Sequence, residues 1–291
     1  MSKARIGYVG VGLMGMPMTR NLLARGYRVK AFDISAARRD EARAAGATVA
    51  LSAAETAREV DILVTNLPTP EAVEDAVFGV AGVAQDLAPP TLLIDFSTIR
   101  VEQGRANAAR LFAQTGCRWI DAPVSGGPPA AGTGTLTVMA GGDAADIERV
   151  RPLMADIAAN FTHMGPVGAG LTAKMINQLI VGAGHAVMAE AMLMAEAAGI
   201  DAARLPACLA GGHADGSLLQ KLYPRMVARD FAPQGYARQL LKDLEMVSEF
   251  AGSLKLPLPM AGQALTLYRM LVHLGHAELD TAAVVKLYQK N

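Results

Sequence analysis

The sequence predicts an α/β fold: a doubly wound, mostly parallel sheet, followed by an all-helical C-terminal domain reached through one long helix. Three observations lead there. Short continuous apolar runs recur through the first half of the chain, with helix-compatible stretches between them. Strands of that kind are buried on both faces, as in parallel sheets covered by helices. The first run opens directly into a glycine-rich turn, Gly10-x-Gly12-x-x-Gly15, and near Gly165 the strand signal stops.

Taken in order, the strand candidates are residues 6–9, 28–32, 61–65, 91–95, 118–121 and 136–140, with a weaker one at 160–163. Helices are expected between them over residues 16–24, 71–77, 101–115 and 144–156. Gly165-Pro166 and Gly168-x-Gly170 then punctuate the chain. Residues 171–198 have helical spacing and abundant Ala and Met. Residues 201–210, 217–227, 237–251, 259–274 and 281–289 also read as helices, separated by Gly, Pro and Asp. The expected domains are residues 1–164 and 165–291.

A chain of 291 residues with 52% hydrophobic side chains can fill a full core in one large or two modest domains. Lys and Arg number 27 against 27 Asp and Glu, so no net charge draws the chain to nucleic acid or an anionic membrane. A charged substrate must then be held by local groups. Neutrality with an apolar excess fits surface buried between subunits, a pointer to oligomerisation. Cys117 and Cys208 lack metal-ligand spacing and read as reduced thiols of a cytoplasmic protein, with no signal peptide ahead of the first strand. The apolar region 175–200 contains Asn177, Gln178, His185, Glu190 and Glu196, so a buried helix is expected there and not a membrane span. His273, His276 and Glu278 lack a further suitably spaced ligand, and no metal is expected. Met188, Met192 and Met194 read as core filler.

The glycine turn, with a strand before it and a helix after, is a dinucleotide fingerprint in its required context. Gly10 serves the tight turn, Gly12 lets backbone approach a pyrophosphate, and Gly15 lets helix pack on strand. Leu13 and Met14 complete the loop. Asp33 ends the second strand at the offset of about 20 residues where an acid binds the ribose hydroxyls. A carboxylate there repels a 2′-phosphate, so NAD(H) is expected over NADP(H). Arg38 and Arg39 could swing toward a phosphate and leave NADP possible, and Asp33 has a second reading as the cap of the next helix. Three loops follow later strands, where open α/β sheets bind ligands. They are Asn66-Leu67-Pro68, an apolar turn suited to lie along the cofactor; Phe96-Ser97-Thr98, with two hydroxyls; and Ser125-Gly126-Gly127, whose hydroxyl and bare backbone N–H groups suit a small carboxylate.

Lys174 follows Gly165-x-x-Gly168-x-Gly170 on a helix otherwise poor in charge, and Asn177 and Gln178 share its helical face. An ammonium among amides on an apolar helix can donate a proton to a carbonyl oxygen and take it back in the reverse direction. The bland alternative is a snorkelling surface lysine. Lys242-Asp243 has a bland reading too, as a salt-bridged helix face.

Together these motifs resemble the β-hydroxyacid dehydrogenase family, which includes 3-hydroxyisobutyrate dehydrogenase, tartronate semialdehyde reductase and the glyoxylate/succinic semialdehyde reductases. The resemblance rests on residues 10–15 with Asn21-Leu22, on 121–127 continuing to 132–136 and Gly141-Gly142, on 165–174, and on Lys242-Asp243-Leu244. It implies a Rossmann domain joined by one long helix to a helical domain, with association as a homodimer or homotetramer through the helical halves. It also implies that Lys174 is the general acid/base, that Ser125, Gly126 and Gly127 bind the substrate carboxylate, that Leu67, Pro68 and Thr98 touch the cofactor, and that Lys242 closes over the nicotinamide end. Many members carry Asn where this chain has Gln178, with Asn177 just before it. The loop from Phe231 to Tyr236, expected to line the substrate pocket, also departs from the Pro-Gly-Phe of one subgroup. The implied activity is hydride transfer between NAD(H) and a short 3-hydroxy acid or its semialdehyde, of 3-hydroxyisobutyrate or tartronate semialdehyde type. The alternatives are an NADPH-dependent glyoxylate or succinic semialdehyde reductase and a non-catalytic nicotinamide-binding regulatory protein.

Overall fold

The computed structural model describes residues 3–288. The chain divides into two compact units, Met1–Lys174 and Met175–Asn291. The division falls inside the helix Ala169–Ala197, ten residues beyond the Gly165 break read from sequence.

The first unit is built on strands β1 (Arg5–Val9), β2 (Arg28–Phe32), β3 (Thr48–Val49), β4 (Ile62–Thr65), β5 (Leu92–Asp95), β6 (Arg118–Asp121), β7 (Val124–Ser125), β8 (Leu136–Gly141) and β9 (Ala158–Gly165). Their order is β3-β2-β1-β4-β5-β6-β8-β7, with β9 also on β8. The first six run parallel in the 3-2-1-4-5-6 order of dinucleotide-binding sheets, and β8 is antiparallel to β6 and β7. Side chains alternate faces along a strand. Ile6, Tyr8, Ile62, Val64, Leu92 and Ile94 fill one side, where Met18 and Leu22 of α1 (Gly15–Ala24) meet them. The intervening Leu63, Leu93 and Trp119 are buried as well. Both faces are therefore covered, which explains why these strands are apolar without alternation.

Three details differ from the sequence reading. Ser125 lies at the end of the two-residue strand β7 and not in an open loop. The weak strand signal at 160–163 marks an eight-residue strand parallel to β8; it is mostly exposed, which is why its apolar content is low. Residues 127–133, given no element in the sequence reading, form a short helix with Pro near its start, where a missing N–H costs nothing.

The second unit is helical. Ala189, Met192 and Ala195 of the helix Ala169–Ala197 pack with Leu240 and Leu244 of Ala237–Ser253 and with Leu265, Tyr268 and Leu271 of Pro259–His273. Of the expected helices, 201–210 is a 3-10 turn followed by Leu205–Leu209. Residues 217–227 are a π turn followed by Tyr223–Val227. The last is a 3-10 helix, Thr281–Tyr288, and Gln289 lies outside the described residues. The helix Ala169–Ala197 is long and apolar enough to cross a membrane by length and composition alone. Its polar side chains Lys174, Gln178 and His185 are buried against protein, and Glu190 and Glu196 are exposed. Of the three methionines expected as core filler, Met192 is buried, Met188 half-buried, and Met194 lies exposed on the outer face of the helix.

Asp280 organises the second unit. It is buried, pairs with Arg225 at 2.9 Å, and accepts the backbone N–H groups of Gln234, Gly235 and Ala282. His185 lies nearby, with Nε2 3.4 Å from the Thr281 hydroxyl and its ring edge-on to Tyr268. Burial draws its imidazole down to about 4, against the opposing pull of Asp280. In the unfolded chain it takes a proton near pH 6.5. Folded protein thus binds fewer protons between about pH 6.5 and 4, and stability is lost as pH falls through that window. We expect His185→Gln to lose much less stability than the parent between pH 7 and 4.5, measured by urea unfolding. Equal acid sensitivity in the two proteins would remove His185 as the cause.

Candidate active site

Backbone register sets one edge of the sheet. Val9, Thr65 and Asp95 pair in one row, continued by Asp121 and then Gly141. Every loop singled out in the sequence begins just past that row: residues 10–15, 66–68, 96–98 and 122–127. Ligands of open α/β sheets bind beyond such carboxyl ends.

The fingerprint glycines have distinct surroundings. Gly10 has φ +95°, and a Cβ there would lie 2.3 Å from the Asn66 carbonyl oxygen. A Cβ on Gly15 would fall 2.0 Å from the Gly10 carbonyl oxygen, so the helix start presses directly on the turn. Gly12 faces open space, with no atom within 4 Å of its Cβ position. The N-terminus of α1 carries no side-chain cap and no acid in its first turn. An uncapped helix end beside an open glycine suits a pyrophosphate. Leu13 and Met14 are half-buried in the same loop.

Asp33 accepts the Val11 N–H at 3.0 Å and the Ser35 N–H at 2.9 Å. The cap of the following helix (Ala36–Ala44) is Ser35 and not Asp33. Arg38 pairs with Glu41, and Arg39 donates to the carbonyls of Asp33 and Ile34. Asn66 turns its amide inward, to the Tyr8 hydroxyl at 3.1 Å and the Met18 sulfur. Ser97 accepts the Leu67 N–H at 2.8 Å, which ties two edge loops together and commits its oxygen to structure. Thr98 is half-buried and Pro68 exposed.

Lys174 is 7% exposed, and its Nζ donates to the Val124 carbonyl at 2.8 Å. Val124 immediately precedes Ser125, so the ammonium is held at the root of the Ser125-Gly126-Gly127 turn. That turn bends through positive φ at both glycines, +123° and +69°. The snorkelling alternative does not describe this lysine. A residue that sequence reasoning passed over lies behind it. Asp121, wholly buried, accepts the Gly168 N–H at 2.7 Å through Oδ1 and the Leu171 N–H at 2.8 Å through Oδ2. Burial pushes its carboxyl up to about 6, with Asp95 adding to the rise and the backbone N–H groups opposing it. Its partners lie 47 and 50 residues away, beyond any local signal.

Asn177, Gln178, Lys242 and Phe231 lie in the second unit. Gln178 donates to Asp243 at 2.5 Å and accepts from Asn177 at 2.7 Å, so its amide is engaged on both sides. Lys242 pairs with Asp243 at 3.2 Å. Phe231 packs on the helical core beneath the Lys286 ammonium.

The strand order and the edge loops define a dinucleotide-binding protein of Rossmann type. Residues 5–165 match the family described as the NAD binding domain of 6-phosphogluconate dehydrogenase, and residues 168–288 match the NAD-binding domain of NADP-dependent 3-hydroxyisobutyrate dehydrogenase. The chain is 36% identical to an NAD-dependent L-serine dehydrogenase of Pseudomonas aeruginosa, covering 98% of this chain and 97% of that one. It is 34% identical to the 2-hydroxy-3-oxopropionate reductase of Escherichia coli, covering 97% and 96%. A structure of Mycobacterium tuberculosis 3-hydroxyisobutyrate dehydrogenase with L-serine superposes with a TM-score of 0.86 at 31% identity, covering 99% of each chain. The chain belongs to the NAD(P)-dependent β-hydroxyacid dehydrogenase family, and it is an oxidoreductase.

The two glycine environments separate folding from binding. Gly15→Ala is expected to lose stability, because the new methyl has no room. Gly12→Ala is expected to keep the parent melting temperature while weakening NADH binding by about tenfold or more, because the methyl would enter the open space that suits a pyrophosphate. Thermal unfolding and NADH fluorescence titration read the two effects. Parental NADH affinity in Gly12→Ala would contradict this placement.

Proposed function

We propose that this protein interconverts a short 3-hydroxy carboxylate and its semialdehyde, with NAD(H) as cofactor and Lys174 as general acid/base. The carrying observation is the Lys174 Nζ to Val124 carbonyl bond, which sets a proton donor beside the Ser125 turn. 3-Hydroxyisobutyrate, L-serine and the glycerate–tartronate semialdehyde pair share one geometry: the reacting carbon stands two bonds from the carboxyl carbon. A turn that holds the carboxylate therefore fixes the reacting oxygen. In this reading the Ser125 hydroxyl and the N–H groups of Gly126 and Gly127 hold the carboxylate. Bound nicotinamide supplies the hydride in reduction and accepts it in oxidation. Lys174 gives a proton to the substrate carbonyl oxygen as the bond order falls, and withdraws it from the hydroxyl in the other direction. Release from the Val124 carbonyl lets the ammonium swing a short distance to that oxygen.

NAD(H) preference rests on Asp33, whose carboxylate sits where a 2′-phosphate would bring like charge. Of the neighbouring arginines, Arg38 is paired with Glu41, and Arg39 is held on the Asp33 and Ile34 carbonyls. Gly10, Gly12, Leu13, Met14 and Gly15 would cradle the pyrophosphate, and Asn66, Leu67, Pro68 and Thr98 would flank the dinucleotide along the same edge. Asn177, Gln178, Phe231 and Lys242 are assigned to the substrate and nicotinamide ends by the family resemblance. The apolar side chains exposed on the helix Ala169–Ala197, namely Ile176, Ile180, Val187 and Met194, support a homodimer or homotetramer. Their spacing repeats along one face, as a helix-packing seam requires. Unpaired Cys117 and Cys208 suit a cytoplasmic setting.

The test is turnover of 3-hydroxyisobutyrate, L-serine and D-glycerate with NAD and with NADP. At least one acid is expected to reduce NAD, with a higher kcat/KM than with NADP. Lys174→Ala is expected to lose about 10²–10⁴ in kcat while NADH binding survives. Near-normal turnover in that variant, or preference for NADP, would overturn the corresponding assignment.

A further inference from the structure

The proton-transfer reading leaves open what holds Lys174 at the height of the Ser125 turn. A helix that starts in a glycine-rich loop, Gly165 to Gly170, has little intrinsic reason to begin at one residue and not its neighbour. A shift by a single residue would rotate Lys174 by about 100° around the helix. The start must therefore be fixed from outside.

Asp121 is the group in position to do so. Both of its carboxylate oxygens are used on this one helix start, Oδ1 on Gly168 N–H and Oδ2 on Leu171 N–H. Leu171 precedes Lys174 by less than one turn. Asp121 also leads, three residues later, into Val124, whose carbonyl receives the ammonium. The surrounding backbone is shaped for this contact. A Cβ on Gly141 would stand 2.6 Å from Oδ1, and one on Gly170 would stand 2.9 Å from Oδ2 and 2.7 Å from the Asp121 carbonyl oxygen. An apolar side chain would fill the same space without the cost of a buried charge. A carboxylate adds two oriented acceptors at the positive end of a helix dipole.

We propose that Asp121 is a positioning residue that sets the register of the Lys174 turn against the Val124 carbonyl, so that one side chain aligns the proton donor with the carboxylate-binding turn. It touches neither substrate nor cofactor and acts through Lys174. The inference rests on the Lys174 reading above.

A double-variant cycle tests it with full-length protein, NAD, and 3-hydroxyisobutyrate or L-serine. Asp121→Asn keeps the shape but turns a donor toward one of the two N–H groups. We expect kcat to fall about 10–100-fold, with NADH affinity within about twofold of the parent, as loss of alignment predicts. In a Lys174→Ala background the same change is expected to alter residual kcat by less than about twofold, because there is no longer an amine to align. A general structural role would lower both backgrounds alike. If Asp121→Asn does not fold, Asp121→Ser, which keeps one acceptor, carries the same cycle. A kcat near the parent's, or losses that multiply in the double variant, would overturn the inference while leaving the function standing. Near-normal turnover in Lys174→Ala would overturn the function and this inference with it.

Discussion

An ammonium taken out of water is costly unless protein dipoles replace the lost solvation, by several kcal/mol where they do not. Lys174 meets that constraint on the Val124 carbonyl, at 2.8 Å and almost fully buried. Everything else about the candidate site follows from the need to keep this contact. The carbonyl must point at the helix, so β7 is a two-residue strand that leaves the sheet at Ser125. The helix must approach β6 and β8 closely, so Gly170 and Gly141 stand where side chains would collide. A buried amine with a defined acceptor is ready to exchange that acceptor for a substrate oxygen, and a solvated one is not.

The sheet edge supplies the second constraint. Thr65, Asp95 and Asp121 stand side by side on neighbouring strands. Asp95 accepts the Thr65 hydroxyl and the Ser97 N–H, Ser97 accepts the Leu67 N–H, and Asp121 accepts the helix start. Buried carboxylates of this kind are tolerated where backbone donors converge on them. The Asp95–Ser97 bonds tie the turns at 66–68 and 96–98 to each other. The Ala122 N–H on the Asp95 carbonyl joins the neighbouring strand ends beneath them.

What the sequence made legible was local. Residues 5–15 carry strand, turn and helix start within one short segment, with Gly10 and Gly15 enclosed and Gly12 facing open space. Continuous apolar strands announced a sheet covered on both faces. Strands of two residues, β3 and β7, have no periodicity to read. The exposed strand β9 lacks the apolar content that would mark it. Asp121 reads only as a strand end, because its partners arrive from a helix some fifty residues on. Ser97 also accepts the Leu67 N–H and so ties two edge loops together, a contact 30 residues apart in sequence. Gln178 looked like a companion of Lys174, and its amide is held by Asp243, 65 residues away. Long-range polar pairing is what one-dimensional pattern does not encode.

The central claim is that Lys174 and the Ser125 turn act on one bound molecule. A crystal structure of the dead-end complex with NADH and 3-hydroxyisobutyrate tests it most directly. The account predicts the carboxylate on the Ser125 hydroxyl and the Gly126 and Gly127 N–H groups, with the substrate hydroxyl about 3 Å from Lys174 Nζ. A carboxylate seated elsewhere, or an Nζ turned away from the substrate hydroxyl, would contradict it.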